Sequence, residues 1–134
     1  LAPAIAPLKH ALIDKDDKTR ANSAGALGNL ARNGGELSKL IANEGVPKSL
    51  LEVVYAGNPS GFSSSASNIS SMRTALFSLG TMAVYTASRR SLLAAVEPSV
   101  DDVLSAINSC NAVDETLLKY LSRLKAKMLC KNLP

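Results

Sequence analysis

The stretch Ala26-Leu27-Gly28-Asn29-Leu30-Ala31 decides the fold, because related stretches return twice along the chain. Ser78-Leu79-Gly80-Thr81-Met82-Ala83 follows 52 residues later with the same Leu-Gly pair. Leu121-Ser122-Arg123-Leu124 keeps the apolar spacing after a further 42 residues. The Gly- and Ser-rich residues 57–68 lie in the longer interval and are about the right number to explain its excess over 42. Self-similarity at about 40–47 residues is typical of stacked helical repeats, so we predict an all-α chain.

The length and composition fit a single helical domain. The chain has 134 residues, of which 46% are hydrophobic and only 4% aromatic. This length supports one core, and a core of Leu, Ala, Val and Ile suits closely packed helices. We predict a right-handed helical solenoid of about three repeats, with units at residues 1–33, 34–88 and 89–134. The chain starts without Met inside an apolar pattern, and we expect it to be a fragment of a larger protein.

Several function classes lack the residues that they need. A structural zinc site takes four ligands, usually Cys or His, whereas the chain has two cysteines and one histidine. We find no nucleophile–base pair, and we predict no catalytic residue, no metal and no cofactor in this domain. No apolar run approaches the ~18 residues of a membrane span, so we expect no membrane partner. The net charge of +4 is small and evenly spread, so nucleic acid is not the expected partner.

Apolar spacing, capping residues and the positions of Gly and Pro predict eight helices. Pro3 and Pro7 place the start of the first helix near Pro7, because proline is tolerated only in the first turn. Asp14-Lys15-Asp16-Asp17 offers an N-cap for the second helix, and Ser99 with Asp102 offers a reciprocal cap for the seventh. The expected helices are Leu1–Ile13, Asp17–Arg32, Glu36–Asn43, Pro47–Ala56, Ile69–Ser88, Arg89–Val96, Ser99–Asn108 and Asp114–Lys131.

Two glycines fall inside predicted helices, where each costs ~1 kcal/mol relative to alanine. They are Gly28 and Gly80, at equivalent places in the repeat. We predict that each allows a close approach between neighbouring helices, which would compensate for this cost.

The order of a short, a medium and a long helix repeats along the chain and resembles the armadillo repeat. The third helix of that repeat carries a pattern close to Ala-Leu-x-Asn-Leu-Ala, which Ala26–Ala31 fits with Gly28 in the free position. Gly45-Val46-Pro47 matches the family's Gly-Ala-Leu-Pro junction with one residue fewer. The resemblance implies an armadillo/HEAT-like solenoid whose third helices line a concave groove. There the motif asparagine binds the backbone of an extended peptide, because an amide both donates and accepts hydrogen bonds.

The segment Lys18-Thr19-Arg20-Ala21-Asn22-Ser23-Ala24-Gly25-Ala26-Leu27-Gly28-Asn29-Leu30 is similar to part of the C-terminal armadillo-type region of Fused-type serine/threonine kinases. That family joins an N-terminal kinase domain to a long helical-repeat tail and has cilium, microtubule or Hedgehog-linked roles. The resemblance implies a non-catalytic protein–protein interaction or scaffold domain, the regulatory region of such a kinase. It also implies a cytoplasmic location, associated with cilia or microtubules. The chain itself lacks the Gly-rich loop, His-Arg-Asp and Asp-Phe-Gly motifs of a kinase domain.

The armadillo register implies a candidate protein-binding groove made of ten residues on the third helices. These residues are Asn22, Asn29, Arg32, Thr74, Phe77, Thr81, Tyr85, Lys119, Arg123 and Lys127. The rows change from amide to aromatic to basic, which suits an extended protein segment with an apolar anchor followed by acidic residues. Of the three positions for the motif asparagine only Asn29 keeps it, since Thr81 and Arg123 occupy the other two.

Other interpretations of the same residues stay open. The stripe of Lys119, Arg123 and Lys127 also fits a solvated face, since basic residues are favourable near a helix C-terminus. The whole chain also fits a helical-repeat nucleic-acid-binding module, or a purely structural stretch of solenoid.

Two further expectations concern the exposed parts of the chain. The first helix has no preceding partner, so we expect Ile5, Leu8 and Leu12 to be partly exposed and to support self-association through the open end. Residues 57–68 should form a mobile loop, and their serines are the natural places for phosphorylation.

Overall fold

A computed structural model describes residues 2–55, 69–108 and 115–130 of the chain, with the backbone alone at 106–108. The predicted mobile loop at 57–68 lies outside these described residues. A 3₁₀ turn at Ala2–Ala4 precedes eight α-helices, and no strand occurs in the described residues. The helices are α1 (Ile5–Ala11), α2 (Asp17–Arg32), α3 (Gly35–Asn43), α4 (Val46–Val54), α5 (Ile69–Met82), α6 (Thr86–Ala94), α7 (Val100–Asn108) and α8 (Glu115–Leu129). The predicted all-α class is therefore confirmed for this part of the chain.

Local capping sets the starts of α2 and α7 as the sequence predicts. The side chain of Asp16 accepts a hydrogen bond from the backbone N–H of Thr19 at 3.0 Å, which satisfies one free donor of the first turn of α2. At α7 the Asp102 carboxylate accepts from the backbone N–H of Ser99 at 2.9 Å, and the Ser99 hydroxyl oxygen accepts from Asp102 N–H at 3.2 Å. This reciprocal pair is a capping box.

The turn between α3 and α4 depends on a left-handed residue. Gly45 has a φ of 75°, a conformation that costs a glycine little because it has no Cβ. Pro47 then occupies the first turn of α4, where its missing N–H breaks no helical hydrogen bond. The predicted stop and restart at Gly45-Val46-Pro47 is confirmed.

The predicted helix Ile69–Ser88 is wrong at its C-terminal end. α5 ends at Met82, and α6 begins at Thr86, three residues before the predicted start at Arg89. The cause is the buried Arg89 side chain, whose Nη1 donates to the carbonyl oxygens of Ala83 at 2.7 Å and Val84 at 2.9 Å. These charge-assisted bonds satisfy carbonyls just past the end of α5, so the chain turns here without leaving them unpaired.

Helices three positions apart in chain order pack against each other. The contacting pairs are α2 with α5, α3 with α6, α4 with α7, and α5 with α8. Consecutive helices α1 to α5 also pack on one another, as do α7 and α8. α5 therefore lies between α2 and α8, the three helices that carry the repeated sequence.

Hydrogen bonds at both ends show that α2 and α5 run side by side in the same direction. Near the N-terminal ends, the Asp17 carboxylate of α2 accepts from the backbone N–H of Ser71 at 3.2 Å and so caps the first turn of α5. Near the C-terminal ends, the Tyr85 hydroxyl donates to the carbonyl oxygen of Arg32 at 3.2 Å. Each helix thus receives partners for its free end groups from the other.

Gly28 lets α2 and α5 approach closely. A Cβ on Gly28 would lie only 2.9 Å from Ser78 Cβ and 3.3 Å from Ser78 Cα. The buried Ser78 hydroxyl donates to the Ala24 carbonyl oxygen at 2.8 Å across the same interface. The predicted close approach at Gly28 is confirmed.

The core takes in residues that we expected to be exposed. Ile5 and Leu12 are only 3% and 2% exposed, because α1 packs on α2 and turns these side chains into the common apolar cluster. Leu8 is half-buried against the same cluster. The prediction that this face of the first helix is partly exposed is therefore wrong for Ile5 and Leu12. The large apolar side chain exposed here is Ile13, at 76%.

We predict opposite effects for alanine at two neighbouring glycines of α2. Gly28→Ala should lower the free energy of unfolding by about 1–3 kcal/mol, because the new Cβ overlaps Ser78. Gly25→Ala should raise it by up to ~1 kcal/mol, since its Cβ would lie 3.6 Å from Thr74 Cγ2, an ordinary contact, and alanine favours the helix. Urea unfolding followed by circular dichroism measures both, and equal effects would contradict the close-approach argument.

The capping box makes a pH-dependent prediction. Hydrogen bonds from the backbone and then the hydroxyl of Ser99 hold the pKa of Asp102 below its ordinary value of 3.8. The stabilisation is thus present above the unfolded-state pKa and is lost as the pH falls through the folded-state pKa. At about pH 7, Asp102→Ala should unfold at lower urea concentration than the control Asp101→Ala. The gap should shrink on acidification towards about pH 3; a gap independent of pH would argue against the charged cap.

Candidate protein-binding surface

The ten predicted groove residues lie on α2, α5 and α8 or beside them. We call the surface that they form the three-helix face; its members are Asn22, Asn29, Arg32, Thr74, Phe77, Thr81, Tyr85, Lys119, Arg123 and Lys127. The three α2 residues and Lys119 are exposed, Phe77 is 39% exposed, and the other five are half-buried. The predicted positions thus reach the surface on three neighbouring helices, two of which carry residues that also bond within the fold.

Asn22 and Asn29 are the part of the face best placed for hydrogen bonding to a ligand. They are two turns apart on α2, so both project from the same side of the helix. Within the described residues, neither side chain has a hydrogen-bond partner. Each amide can therefore both donate to and accept from a bound chain.

The two threonines of α5 do not continue this row of free polar groups. Thr74 Oγ1 donates to the Ser70 carbonyl oxygen at 2.9 Å, and Thr81 Oγ1 donates to the Phe77 carbonyl oxygen at 3.3 Å. Both hydroxyls bond back to their own helix one turn earlier, a common pattern for mid-helix threonine. The side-chain groups that are free to bond a ligand as both donor and acceptor are therefore the two asparagine amides of α2, and the threonines of α5 do not extend this row.

An aromatic and cationic cluster joins α5 to α8. The rings of Phe77 and Tyr120 meet edge to face, with centroids 5.3 Å apart and planes at 71°. The guanidinium carbon of Arg123 lies 4.8 Å from the centroid of the Phe77 ring, a cation–π contact. Sequence analysis missed Tyr120 as a member of this face. The signal was its place three residues before Arg123 in α8, since side chains at this spacing are neighbours on the helix surface.

Gly80 makes room for the Arg123 side chain. A Cβ at this position would lie 3.0 Å from Arg123 Nη1 and 3.2 Å from Cζ. Arg123 Nη1 also makes a long hydrogen bond of 3.4 Å to the Phe77 carbonyl oxygen. The close approach of two helices predicted at Gly80 is not what the structure shows, because the atoms nearest to this position belong to the guanidinium of Arg123 and not to the backbone of α8.

The Lys127 side chain caps the C-terminal end of α5. Its Nζ donates to the Gly80 carbonyl oxygen at 2.6 Å, in the last helical turn, where carbonyls lack a partner within the helix. Burial, and then the positive charge of Arg123, lower the pKa of Lys127 below its ordinary value. The basic residues of this stripe therefore differ in their surroundings. Lys119 is exposed to solvent, whereas Lys127 is half-buried and bonds to α5.

Tyr85 does not lie on the third helix, contrary to the helix boundary that we predicted. It is the N-cap residue of α6, and its hydroxyl bonds to the Arg32 carbonyl oxygen at the end of α2. Its half-buried ring stays at the border of the three-helix face and links α2 to the α5–α6 turn.

The described residues contain no cluster of three or more His, Cys, Asp or Glu side chains suited to holding a metal ion. Among the helices of the described ranges, none is long and apolar enough to span a membrane. A cleft of about 700 Å³ lies apart from the three-helix face, between α1 and α4. Its charged lining is mixed, with Lys9 and Arg20 beside Glu44 and Glu52.

We predict that removing the Lys127 ammonium costs stability. Lys127→Met keeps the aliphatic stem but leaves the Gly80 carbonyl without this partner, which should lower the free energy of unfolding by about 1 kcal/mol. Lys125→Met is the matched control, because in the described part of the chain Lys125 makes no such bond. Thermal and urea unfolding compare the two variants. Equal stabilities would mean that Lys127 does not cap α5.

The chain is similar to the serine/threonine-protein kinase TIO of Arabidopsis thaliana, with 41% identity over 73 residues. The aligned stretch is 51% of this chain and 5% of that kinase, so the chain spans a small part of the length of this relative. No family model matches the chain, and no solved structure matches it. Over about half of the chain, the similarity confirms the predicted relationship to part of a serine/threonine kinase.

Proposed function

We propose that this chain is a non-catalytic protein-binding segment of a larger serine/threonine kinase of Fused type. In this proposal the eight helices are a short right-handed solenoid of armadillo/HEAT-like repeats. The three-helix face is the binding groove, and the ligand is a protein segment that crosses α2, α5 and α8. The observation that carries the proposal is the exposure of Asn22, Asn29, Phe77 and Lys119 on neighbouring helices.

The packing of the helices supports the repeat architecture. Contacts between helices three positions apart are what a stack of three-helix units produces, because each unit touches only its neighbours. The parallel alignment of α2 and α5 places their exposed rows side by side. A ligand in extended conformation spans about 3.3 Å per residue, so a segment of roughly ten residues crosses three helices packed 8–10 Å apart.

The kinase connection rests on partial similarity. The relative is named a serine/threonine kinase, and the aligned stretch is 5% of its length. The chain carries none of the kinase motifs that we sought, so we assign it a regulatory or scaffold role outside the catalytic domain. Following the resemblance to Fused-type kinases, we propose a cytoplasmic parent protein that works at cilia or microtubules.

A purely structural role is the second candidate, favoured by the bonds of Arg123 and Lys127 to carbonyl oxygens of α5. In that case the basic stripe serves helix packing alone, and the three-helix face binds no ligand. A nucleic-acid-binding module has less support. Arg123 and Lys127 already donate hydrogen bonds to carbonyl oxygens of α5, so fewer cationic groups on this face are available to bind phosphates.

Site-specific photo-crosslinking distinguishes these functions. A photoreactive phenylalanine analogue replaces Asn29 or Lys119 on the three-helix face, or Lys48 on α4 as the exposed control. In cell extract, the first two positions should give the same discrete protein adducts, and Lys48 should give none of them. Adducts that nuclease treatment removes would favour nucleic acid. No adduct at Asn29 or Lys119, or the same adducts at Lys48, would refute binding at this face.

A further inference from the structure

Building on the protein-binding function proposed above, we propose that Arg123 is a fixed carboxylate receptor. Its ligand is an Asp or Glu side chain within two residues of an aliphatic or aromatic residue, and that apolar residue packs on Phe77 and Tyr120. The ligand class is thus an acidic protein segment with an apolar anchor. The guanidinium of Arg123 would bind its carboxylate, and the rings of Phe77 and Tyr120 would contact its apolar side chain.

The first support is that the Arg123 side chain is held in place before any ligand arrives. Its guanidinium carbon lies over the Phe77 ring at 4.8 Å, the guanidinium fills the space left by the missing Cβ of Gly80, and Nη1 donates to the Phe77 carbonyl oxygen. Arginine is rich in rotamers, and ordering such a side chain on binding is costly. Because the fold already orders the Arg123 side chain, binding loses little further side-chain entropy.

The second support is the set of unused donors on Arg123. A guanidinium carries five N–H groups in a planar fork, and the described residues accept from Nη1 alone, in the 3.4 Å bond to Phe77. In the described ranges no carboxylate oxygen lies within 4.0 Å of Arg123. A carboxylate forms two parallel hydrogen bonds with such a fork, which fixes both distance and orientation.

The third support is the sign of the local charge. Along α8 the acidic residue Glu115 is followed by four basic residues, namely Lys119, Arg123, Lys125 and Lys127. The charge of Arg123 is also one cause of the lowered pKa of Lys127. An anion on Arg123 would relieve this repulsion between like charges, and Lys119, one turn earlier, would add attraction at longer range.

The aromatic pair explains why the carboxylate needs an apolar neighbour. Phe77 is 39% exposed although Tyr120 and Arg123 both contact its ring. A ligand side chain on this exposed part would bury apolar surface immediately beside the ion pair. Removing water there strengthens the ion pair, because charges attract more strongly at lower dielectric.

A carboxylate fits better than a phosphate at this place. The second half-buried cation, Lys127, already donates to the Gly80 carbonyl oxygen at 2.6 Å, which leaves the guanidinium of Arg123 and the exposed Lys119 for an anion. The guanidinium carbon lies over the Phe77 ring, and no hydrogen bond within the described residues uses Nε or Nη2. A planar carboxylate matches the edge that these two groups form, whereas a phosphate dianion usually gathers several cations.

Gly80 allows the geometry of Arg123 to be tested without changing any charge. In Gly80→Ala the new Cβ would lie 3.0 Å from Nη1 and 3.2 Å from Cζ, so the guanidinium must shift by a few tenths of an ångström. Alanine also has a higher helix propensity than glycine, which favours α5. A variant that remains folded, with its full charge, should therefore hold the guanidinium slightly displaced from its place in the wild type.

The experiment measures binding of fluorescein-labelled 12-residue peptides to the full 134-residue chain by fluorescence anisotropy. The probe carries Leu-Glu-Glu in a Gly/Ser background; the comparison peptides carry Leu-Gln-Gln, Ala-Glu-Glu or Leu-phosphoserine-Glu. Arg123→Lys should weaken the Leu-Glu-Glu complex roughly tenfold or more, the loss expected for a charged hydrogen-bond pair. Gly80→Ala, which shifts the guanidinium but keeps it, should weaken the complex by a smaller factor. Lys48→Gln, at an exposed position on α4 away from the three-helix face, is the control with the same change of charge and should bind as wild type. Leu-Gln-Gln and Ala-Glu-Glu should both bind more weakly than the probe.

Several results would overturn the inference. Wild-type affinity in folded Gly80→Ala, or equal affinity in Arg123→Lys, would show that charge alone is read. Should Gly80→Ala fail to fold, Arg123→Lys decides the question. Tighter binding of the phosphoserine peptide would replace the carboxylate by a phosphate. If the peptides do not bind while Asn29 and Lys119 still crosslink to protein, the receptor assignment fails and the protein-binding function stands.

Discussion

The close contact between α2 and α5 is the constraint on which the rest of the structure depends. Without a Cβ on Gly28, the Ser78 side chain of α5 reaches α2 and donates to the Ala24 carbonyl oxygen at 2.8 Å. This buried bond fixes how far one helix is shifted along the other. With the register set, Asp17 meets the first turn of α5, and Tyr85 meets the last carbonyls of α2. A shift of one turn would break all three contacts together.

The second copy of the repeat solves the same packing problem in a different way. At Gly80 the space for a Cβ is filled by the guanidinium of Arg123 from α8. A polar group thus enters the interface from the outer helix and stays half-exposed at its edge. Because the cation lies over Phe77, the three-helix face acquires a charge next to its largest exposed ring. Two glycines in equivalent sequence positions therefore produce different contacts. The contact of Gly28 with Ser78 is buried, whereas the contact of Gly80 with Arg123 reaches the surface.

Local signals in the sequence predicted most of the helices but not the contacts between distant residues. Periodicity and capping gave α2 at its observed bounds and the reciprocal cap at Ser99, since both depend on residues within one turn. The break after Met82 was missed because a buried arginine from the next helix accommodates it. The hydrogen bond from Lys127 to the Gly80 carbonyl oxygen was also missed, because it joins residues that are distant in the sequence. A stripe of basic residues in a sequence does not show which of them the fold already uses.

Three long-range hydrogen bonds in the described part of the chain share a purpose, since each supplies a partner to the end of a helix. The first turn of α5 takes its cap from Asp17, the last carbonyls of α2 take theirs from Tyr85, and the end of α5 takes its cap from Lys127. Each of these groups comes from another helix or from the turn that follows it, so a helix without these neighbours would leave its end groups exposed to water or unpaired. Helices of nine to sixteen residues are marginal by themselves, as nucleation is costly and only packing offsets it. The described helices should therefore fold as one cooperative body, and the ligand proposed for the three-helix face would stabilise them together rather than one helix at a time.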